Sequence, residues 1–210
     1  EFTYDAKGRE QIVADFEGNL TEFAYDTYGR RTMRKEAAGT SLARTTTWAW
    51  NTQNQLASIT LSGQTRRDFT YRTDGLLSKE TITNLSSNGV NGQARSTTYA
   101  YTFHPNTLVA TIVIDGPLSG TGDAVTQTFD SVGNLLSVRN SLGHETTYAQ
   151  HNVFGQAGRE TNANGGVIER GFDARGRLLV ASRVVGTVRH SSRWTYNASR
   201  KLACVTSPGG

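Results

Sequence analysis

Aromatic residues alternate with small or polar residues in short segments along the chain, as in Phe2-Thr-Tyr4, Phe23-Ala-Tyr25 and Trp48-Ala-Trp50. Residues at i and i+2 project from the same face of a strand, so each pair of rings is expected to share one face of a sheet. The stretches between glycine-bearing turns are about six to nine residues long, a length typical of strands rather than helices. The pattern therefore predicts strands throughout.

The segment 2–9 returns almost unchanged at 23–30 and again at 171–178, and weaker copies fill the interval. Self-similarity at a fixed period is the mark of a repeat architecture. The aromatic position that precedes the turn gives steps of 21, 25, 21, 30, 28, 22, 21 and 24 residues. We assign this marker to Tyr4, Tyr25, Trp50, Tyr71, Tyr101, Phe129, His151, Phe172 and Tyr196.

A turn signature follows each marker. Asp or Asn can accept a local backbone hydrogen bond and open the turn, and Gly three residues later can adopt positive φ and close it. The predicted signature residues are Asp5, Gly8, Arg9, Asp26, Gly29, Arg30, Gly75, Asp130, Gly133, Asn152, Gly155, Asp173, Gly176 and Arg177. A second glycine lies about halfway along most units, at Gly18, Gly39, Gly63, Gly143, Gly165, Gly186 and Gly209. Each unit is thus predicted to contain two strands and two turns.

The middle of the chain departs from the signature. Arg72 and Thr102 are assigned to the Asp position, and His104-Pro-Asn replaces the closing glycine. Two polar, glycine-rich stretches, 84–92 and 115–123, account for the long steps and are predicted to be elongated hairpin tips. The prediction is an all-β fold of repeated antiparallel hairpins in a curved strip, one repeat region over 1–210 with no second domain. About nine units start near residues 2, 23, 48, 69, 99, 127, 148, 170 and 194.

Composition supports strands and argues against several functions. The 210 residues include 29 Thr and 22 Gly, which are both poor helix formers. A single Cys204 leaves no partner for a disulfide or a cysteine metal site. No run approaches the roughly 20 apolar residues of a membrane helix, and the first residues lack the features of a signal peptide. The net charge of +4 comes from scattered arginines, so a nucleic-acid partner is not expected.

The Tyr-Asp-x-x-Gly-Arg motif, the halfway glycine and the second aromatic two residues before the Tyr together resemble the RHS or YD repeat, and the resemblance spans essentially all 210 residues. It implies a long β-sheet strip wound into a hollow shell, part of an RHS/YD-repeat β-cage. Such shells occur in bacterial polymorphic toxins, in the cage components of insecticidal toxin complexes and in animal teneurins. The chain would then be a fragment of a longer repeat shell.

No residue pattern indicates catalysis. The aromatic-Asp positions could form a ligand platform for sugars, but repetition at a fixed period favours a structural junction, because a catalytic site is normally singular. His144-Glu145 begins like a zinc motif, yet Tyr148 stands where the second His should be. His104, His151 and His190 are expected to be ordinary turn or surface residues. We therefore expect no enzyme activity, no metal and no cofactor.

The function expected from the resemblance is a non-enzymatic shell segment that encapsulates a toxin or effector domain before delivery. The alternative is a carbohydrate-binding or cell-surface adhesion module, whose aromatics and arginines would bind glycans. A hydrolase is the third and weakest reading. The expected partners are the repeats of the parent chain, an enclosed toxin or effector domain and a delivery machinery. The expected location is the bacterial cytoplasm before export, then secretion or delivery by a bacterial secretion system.

Overall fold

The computed structural model describes residues 1–208 and divides the chain into two compact units, Glu1–Thr98 and Tyr99–Gly210. All regular structure in the described residues is β-strand, and no helix occurs there. The last glycine of the halfway set, Gly209, lies outside the described residues. The all-β prediction is confirmed.

The first unit is a run of antiparallel hairpins in which each strand pairs with the next one along the chain. Its strands are β1 (Phe2–Tyr4), β2 (Glu10–Ala14), β3 (Leu20–Tyr25), β4 (Arg31–Glu36), β5 (Arg44–Trp50), β6 (Leu56–Leu61), β7 (Thr65–Tyr71), β8 (Leu77–Asn84) and the beginning of β9 (Ala94–Phe103). The longest register, between β7 and β8, runs from Thr65↔Asn84 to Tyr71↔Leu77.

The second unit repeats the same arrangement, with neighbours in sequence again paired antiparallel. It contains the end of β9, β10 (Val109–Asp115), β11 (Val125–Phe129), β12 (Leu135–Asn140), β13 (Glu145–His151), β14 (Ala157–Thr161), β15 (Val167–Phe172), β16 (Leu178–Val185), β17 (Val188–Tyr196) and β18 (Leu202–Thr206). The stretches 84–92 and 115–123 connect β8 to β9 and β10 to β11, so the predicted elongated tips are confirmed.

Burial is shallow in both units. Among residues 1–208, Ala38 is the buried hydrophobic residue, and no large side chain is fully buried. The buried polar residues are serines in strands, Ser58, Ser137 and Ser182. Ser182 pairs its Oγ with the Oγ of Ser191 at 2.8 Å on the adjacent strand. Cohesion therefore depends on backbone pairing and on contacts along the sheet surface more than on a deep apolar core.

The strands that lead into signature turns share a local irregularity. Their register shifts directly before the aromatic residue, for example between Thr3 and Tyr4 and between Ala24 and Tyr25. Such β-bulges increase the local twist and re-aim a side chain. The same shift precedes Trp50, Tyr71, Phe129, Phe172 and Tyr196. The marker aromatic is thus held at the bulge that begins each of these turns.

Candidate functional site

The signature turns are the most regular chemical feature of the chain, and the first one shows how they are built. The Asp5 amide donates to the Arg9 carbonyl at 2.8 Å, and the Gly8 amide donates to the Asp5 carbonyl at 2.9 Å. Gly8 has φ of 76°. A type I turn closed by a residue of positive φ is a common hairpin connection with a bulge. The local sequence Asp-x-x-Gly is therefore sufficient to specify this geometry.

Among residues 1–208, the nine connections that follow the marker strands use the same two backbone hydrogen bonds. Their opening residues are Asp5, Asp26, Asn51, Arg72, His104, Asp130, Asn152, Asp173 and Asn197, and their closing residues are Gly8, Gly29, Asn54, Gly75, Thr107, Gly133, Gly155, Gly176 and Arg200. Every closing residue has positive φ. The structure thus places the predicted Asp, Asn and Gly positions in equivalent turns in both units.

One assignment of the sequence analysis was two residues out of register. Tyr101 was assigned as the marker and Thr102 as its Asp-like neighbour, but the turn opens at His104 and closes at Thr107. Phe103 therefore occupies the marker position, and Tyr101 lies two residues earlier on the same face, with the two rings stacked at 6.5 Å. The error arose because a β-branched residue, Thr107, has φ of 67° where glycine was expected.

The side chain of the opening Asp stabilises the turn from within. In the second turn, Asp26 Oδ1 accepts the amide hydrogens of Tyr28 and Arg30 at 2.9 and 3.0 Å. Arg30 Nε and Nη2 both lie 2.6 Å from Asp26 Oδ2. The same set of contacts joins Asp5 to Arg9 and Asp173 to Arg177. Each of these arginines therefore pairs with the carboxylate of its own turn.

Other turns keep the contact but change its chemistry. Asn134 Nδ2 donates to Asp130 Oδ2 at 2.9 Å. In two turns that open with Asn, a glutamine accepts instead: Asn51 Nδ2 lies 3.0 Å from Gln55 Oε1, and Asn152 Nδ2 lies 2.8 Å from Gln156 Oε1. In the turns that have an Asp–Arg, Asp–Asn or Asn–Gln pair, a side-chain donor is thus matched with an acceptor.

These contacts lower the pKa of the turn carboxyls. Hydrogen bonds from the Arg9 side chain and backbone bring the pKa of Asp5 to about 2. The Asn134 side chain lowers the pKa of Asp130, and the Arg177 backbone amide and guanidinium lower that of Asp173. Partial burial raises the pKa of Asp26, but the Arg30 hydrogen bonds outweigh it and the net pKa is below its usual value. These carboxylates are ionised at neutral pH.

In three turns, the arginine after the closing position also joins the turn to the next repeat. The Arg9 guanidinium lies over the Tyr25 ring at 4.5 Å, and the Arg177 guanidinium lies over the Tyr196 ring at 4.4 Å. Arg30 lies 5.3 Å from the Trp50 ring and donates to Asn54 Oδ1 at 2.7 Å. Such cation–π contacts contribute about 0.5–1 kcal/mol at exposed sites. Successive turns are therefore linked by side chains as well as by strand pairing.

Three of the predicted halfway turns use the same hydrogen bonds through opening residues that the sequence analysis did not single out. In the halfway connections, Asp15, Asn140 and Asn162 each accept two backbone amides through Oδ1. The Asn19 side chain lowers the pKa of Asp15. Asp or Asn three residues before glycine was visible in the sequence and would have identified these turns. At Arg72 the missing carboxylate is replaced by Asp74, whose Oδ2 lies 3.0 Å from Arg72 Nη2.

No other chemistry-bearing group assembles into a site in the described part of the chain. Groups of three or more metal-ligating side chains are absent from residues 1–208. His104 Nε2 lies 3.0 Å from the Phe129 carbonyl oxygen, a contact that joins two repeats. Cys204 is exposed. No helix long and apolar enough to cross a membrane is found among these residues.

The fold and its turns place the chain in the class of β-hairpin repeat proteins. No family model matches the chain, and no curated protein matches it. Among solved structures, it is similar to TcdB2-TccC3 without its hypervariable C-terminal region and to TcdB2-TccC3-TEV, with TM-scores of 0.70 and 0.68. It is also similar to the Photorhabdus luminescens Tc holotoxin pore with the TccC3-D651A mutation, with a TM-score of 0.70.

Each of these likenesses has 14% sequence identity, covers 98% of this chain and spans 11% of the longer chain. The chain therefore shares the fold of a segment of these Tc toxin proteins. This agrees with the RHS-type fold that the Tyr-Asp-x-x-Gly-Arg motif indicated.

Proposed function

We propose that the chain is a segment of the wall of a shell that encloses a toxin or effector domain before delivery. The observation that carries the proposal is the series of equivalent hairpins within each unit, in a fold similar to that of Tc toxin proteins. The segment acts by enclosure and not by catalysis.

The turn geometry supports a structural role for the acidic residues. In the Asp-type turns, one carboxylate oxygen accepts two backbone amides and the other accepts the side chain four residues on. A carboxylate with these partners and a lowered pKa is a poor general base at neutral pH. The Asp carboxylates that a catalytic function would need therefore already form the hydrogen bonds that stabilise the hairpin turns.

The shallow burial fits a wall. A sheet whose strand residues are mostly half-buried gains cohesion from each neighbouring strand, so it can be extended by adding repeats without enlarging a core. The partners that follow are the parent chain's own repeats, the enclosed domain and a delivery machinery. The corresponding location is the bacterial cytoplasm first and the outside of the producing cell, or a target cell, after export.

Electron microscopy of the full-length protein, combined with limited proteolysis, tests the proposal. A closed particle with internal density, and a domain outside the repeats that becomes protease-sensitive only when the shell is opened, is the expected result. An open particle with that domain freely digested refutes enclosure. A glycan array addresses the adhesion alternative, since specific glycan binding by an open particle would support adhesion instead.

A further inference from the structure

Two tyrosines in different repeats donate equivalent hydrogen bonds but follow turns that end in different residues. Tyr71 Oη donates to the Leu56 carbonyl at 2.8 Å, and Tyr196 Oη donates to the Leu178 carbonyl at 3.0 Å. Each accepting leucine directly follows the last position of the preceding turn. That position is Gln55 for Tyr71 and Arg177 for Tyr196.

The Arg177 guanidinium covers the Tyr196 ring at 4.4 Å while Asp173 anchors it at 2.7 Å. Gln55 is shorter and is held elsewhere: its Oε1 accepts from Asn51 Nδ2, and its Nε2 donates to the Gly75 carbonyl at 2.9 Å. Within residues 1–208, no arginine is found over the Tyr71 ring.

The space beside Tyr71 is correspondingly larger. A groove of about 620 Å³ lies between the turns that open at Asn51 and Arg72, and its walls include Phe69, Tyr71 and Asp74. The groove beside Arg30 and Trp50 is about 350 Å³, and the one beside Arg9 and Tyr25 is about 240 Å³. The larger volume falls in the range of ordinary ligand pockets. Of these three grooves, the largest is the one whose preceding turn ends in glutamine, Gln55, instead of arginine.

The chemistry of the groove suits a guanidinium. An aromatic face attracts cations, and a guanidinium can stack on it while donating hydrogen bonds from its edge. Asp74 and Arg72 line the groove as an ion pair, and Arg72 lowers the pKa of Asp74, so this partly exposed carboxylate is ionised at neutral pH.

We propose that this groove binds the arginine side chain of a peptide segment, with the guanidinium over Tyr71 in the place that Arg177 takes over Tyr196. The equivalent repeat supplies the template, because there the chain fills the same position with its own arginine. Binding itself depends on the geometry of this one repeat. Only the identification of the peptide with the enclosed domain rests on the proposed function.

The test is a titration of the whole chain with the peptide acetyl-Gly-Arg-Gly-amide, followed through the NMR signals of the Tyr71 ring. We expect a saturable shift at Tyr71 that is absent at Tyr196. A peptide with citrulline in place of arginine has nearly the same shape without the charge, and loss of the cation–π contact should weaken binding about two- to fivefold. Equal binding of the citrulline peptide would overturn the proposal.

Two matched double variants test the site by exchanging the turn residues beside Tyr71 and Tyr196. Asn51→Asp with Gln55→Arg restores the pair seen at Asp173 and Arg177 and should abolish the peptide-induced shift at Tyr71. Asp173→Asn with Arg177→Gln should create a second responsive ring at Tyr196. Unchanged peptide binding in the first double variant refutes the proposed site. If that variant fails to fold, the absence of a peptide-induced shift at Tyr196 in the second double variant refutes the site instead.

The outcome is separate from that of the enclosure experiment. If the peptide does not bind but the particle is closed, the arginine-binding groove is refuted and the proposed enclosure stands. If the peptide binds but the particle is open, the groove stands and the proposed enclosure is refuted. Binding of a neutral oligosaccharide at Tyr71 in place of the arginine peptide counts against the guanidinium site and favours the adhesion alternative.

Discussion

Replacement of Gly133 by alanine tests the turn geometry with little interference from packing. Gly133 closes the turn that opens at Asp130 and has φ of 93°, and a Cβ added there would meet no atom within 4 Å. An L-residue in the left-handed region costs about 1–2 kcal/mol. Alanine also restricts the unfolded chain and recovers about 0.4–1 kcal/mol. The net expectation is a destabilisation of about 1 kcal/mol, which arises from the backbone alone.

Hydrogen exchange measures this effect where it acts. The Gly133 amide donates to the Asp130 carbonyl and the Asp130 amide donates to the Asn134 carbonyl, so both should exchange about fivefold faster in Gly133→Ala if the turn opens locally. Gly122→Ala is the matched control, because Gly122 lies in the same unit, lacks a positive φ and has equally open space. It should be neutral or slightly stabilising.

The reverse replacement should have the opposite sign. Thr107 occupies the equivalent closing position with φ of 67°, a conformation that is unfavourable for a β-branched residue. Thr107→Gly should therefore stabilise the turn by about 1 kcal/mol, the left-handed cost less the added entropy of the unfolded chain. Equal losses of stability in Gly133→Ala and Gly122→Ala would show that Gly133 is not in the left-handed region. A loss of stability in Thr107→Gly would show the same for Thr107.

Three further predictions concern the side chains. Because the pKa of Asp5 falls from 3.8 to about 2 on folding, its contribution to stability is present above about pH 4 and is lost as the pH falls toward 2; urea unfolding at stepped pH should show this loss, with a smaller pH dependence in Asp5→Asn. Arg177→Gln should speed exchange of the Asp173 and Arg177 amides, while Arg177→Lys should show a partial effect because lysine keeps the charge but not the two-nitrogen contact; no change in either variant would contradict the stabilisation of this turn by the Asp173–Arg177 pair. Ser182→Ala should destabilise the chain by about 1 kcal/mol, since it removes the bond to Ser191 Oγ from a buried site; urea unfolding compared with exposed Ser199→Ala checks this.

The sequence predicted the turns because their determinants are local. Asp5, Gly8 and Arg9 interact mainly within five residues, so the residue types at these spacings define the contacts almost completely. The prediction failed at Tyr101 because the local residue types there do not show the turn, which opens at His104 and closes at Thr107 in place of Asp and Gly.

The rings expected to share one face do not all stack on one another. The stacked pairs Phe2–Tyr4 and Tyr101–Phe103 lie within one strand, and several marker rings are covered by guanidinium groups instead. Strand alternation fixes which face a ring occupies, but not which long side chain of the next repeat covers it. The groove beside Tyr71 was unpredicted for this reason, although glutamine at the Arg9-equivalent position was its visible sign.

The variation among turns explains how the repeat can diverge and still form one kind of hairpin. Asp–Arg, Asp–Asn and Asn–Gln pairs place a donor against an acceptor at the same spacing, so a change at the opening residue can be matched by a change four residues later. The pairs differ in reach, however: arginine extends to the ring of the next repeat, and glutamine stops at its backbone. Substitution of the pair therefore leaves the turn intact and alters only the surface between repeats. A scaffold with this property can acquire a binding groove in one repeat without weakening the hairpins on either side.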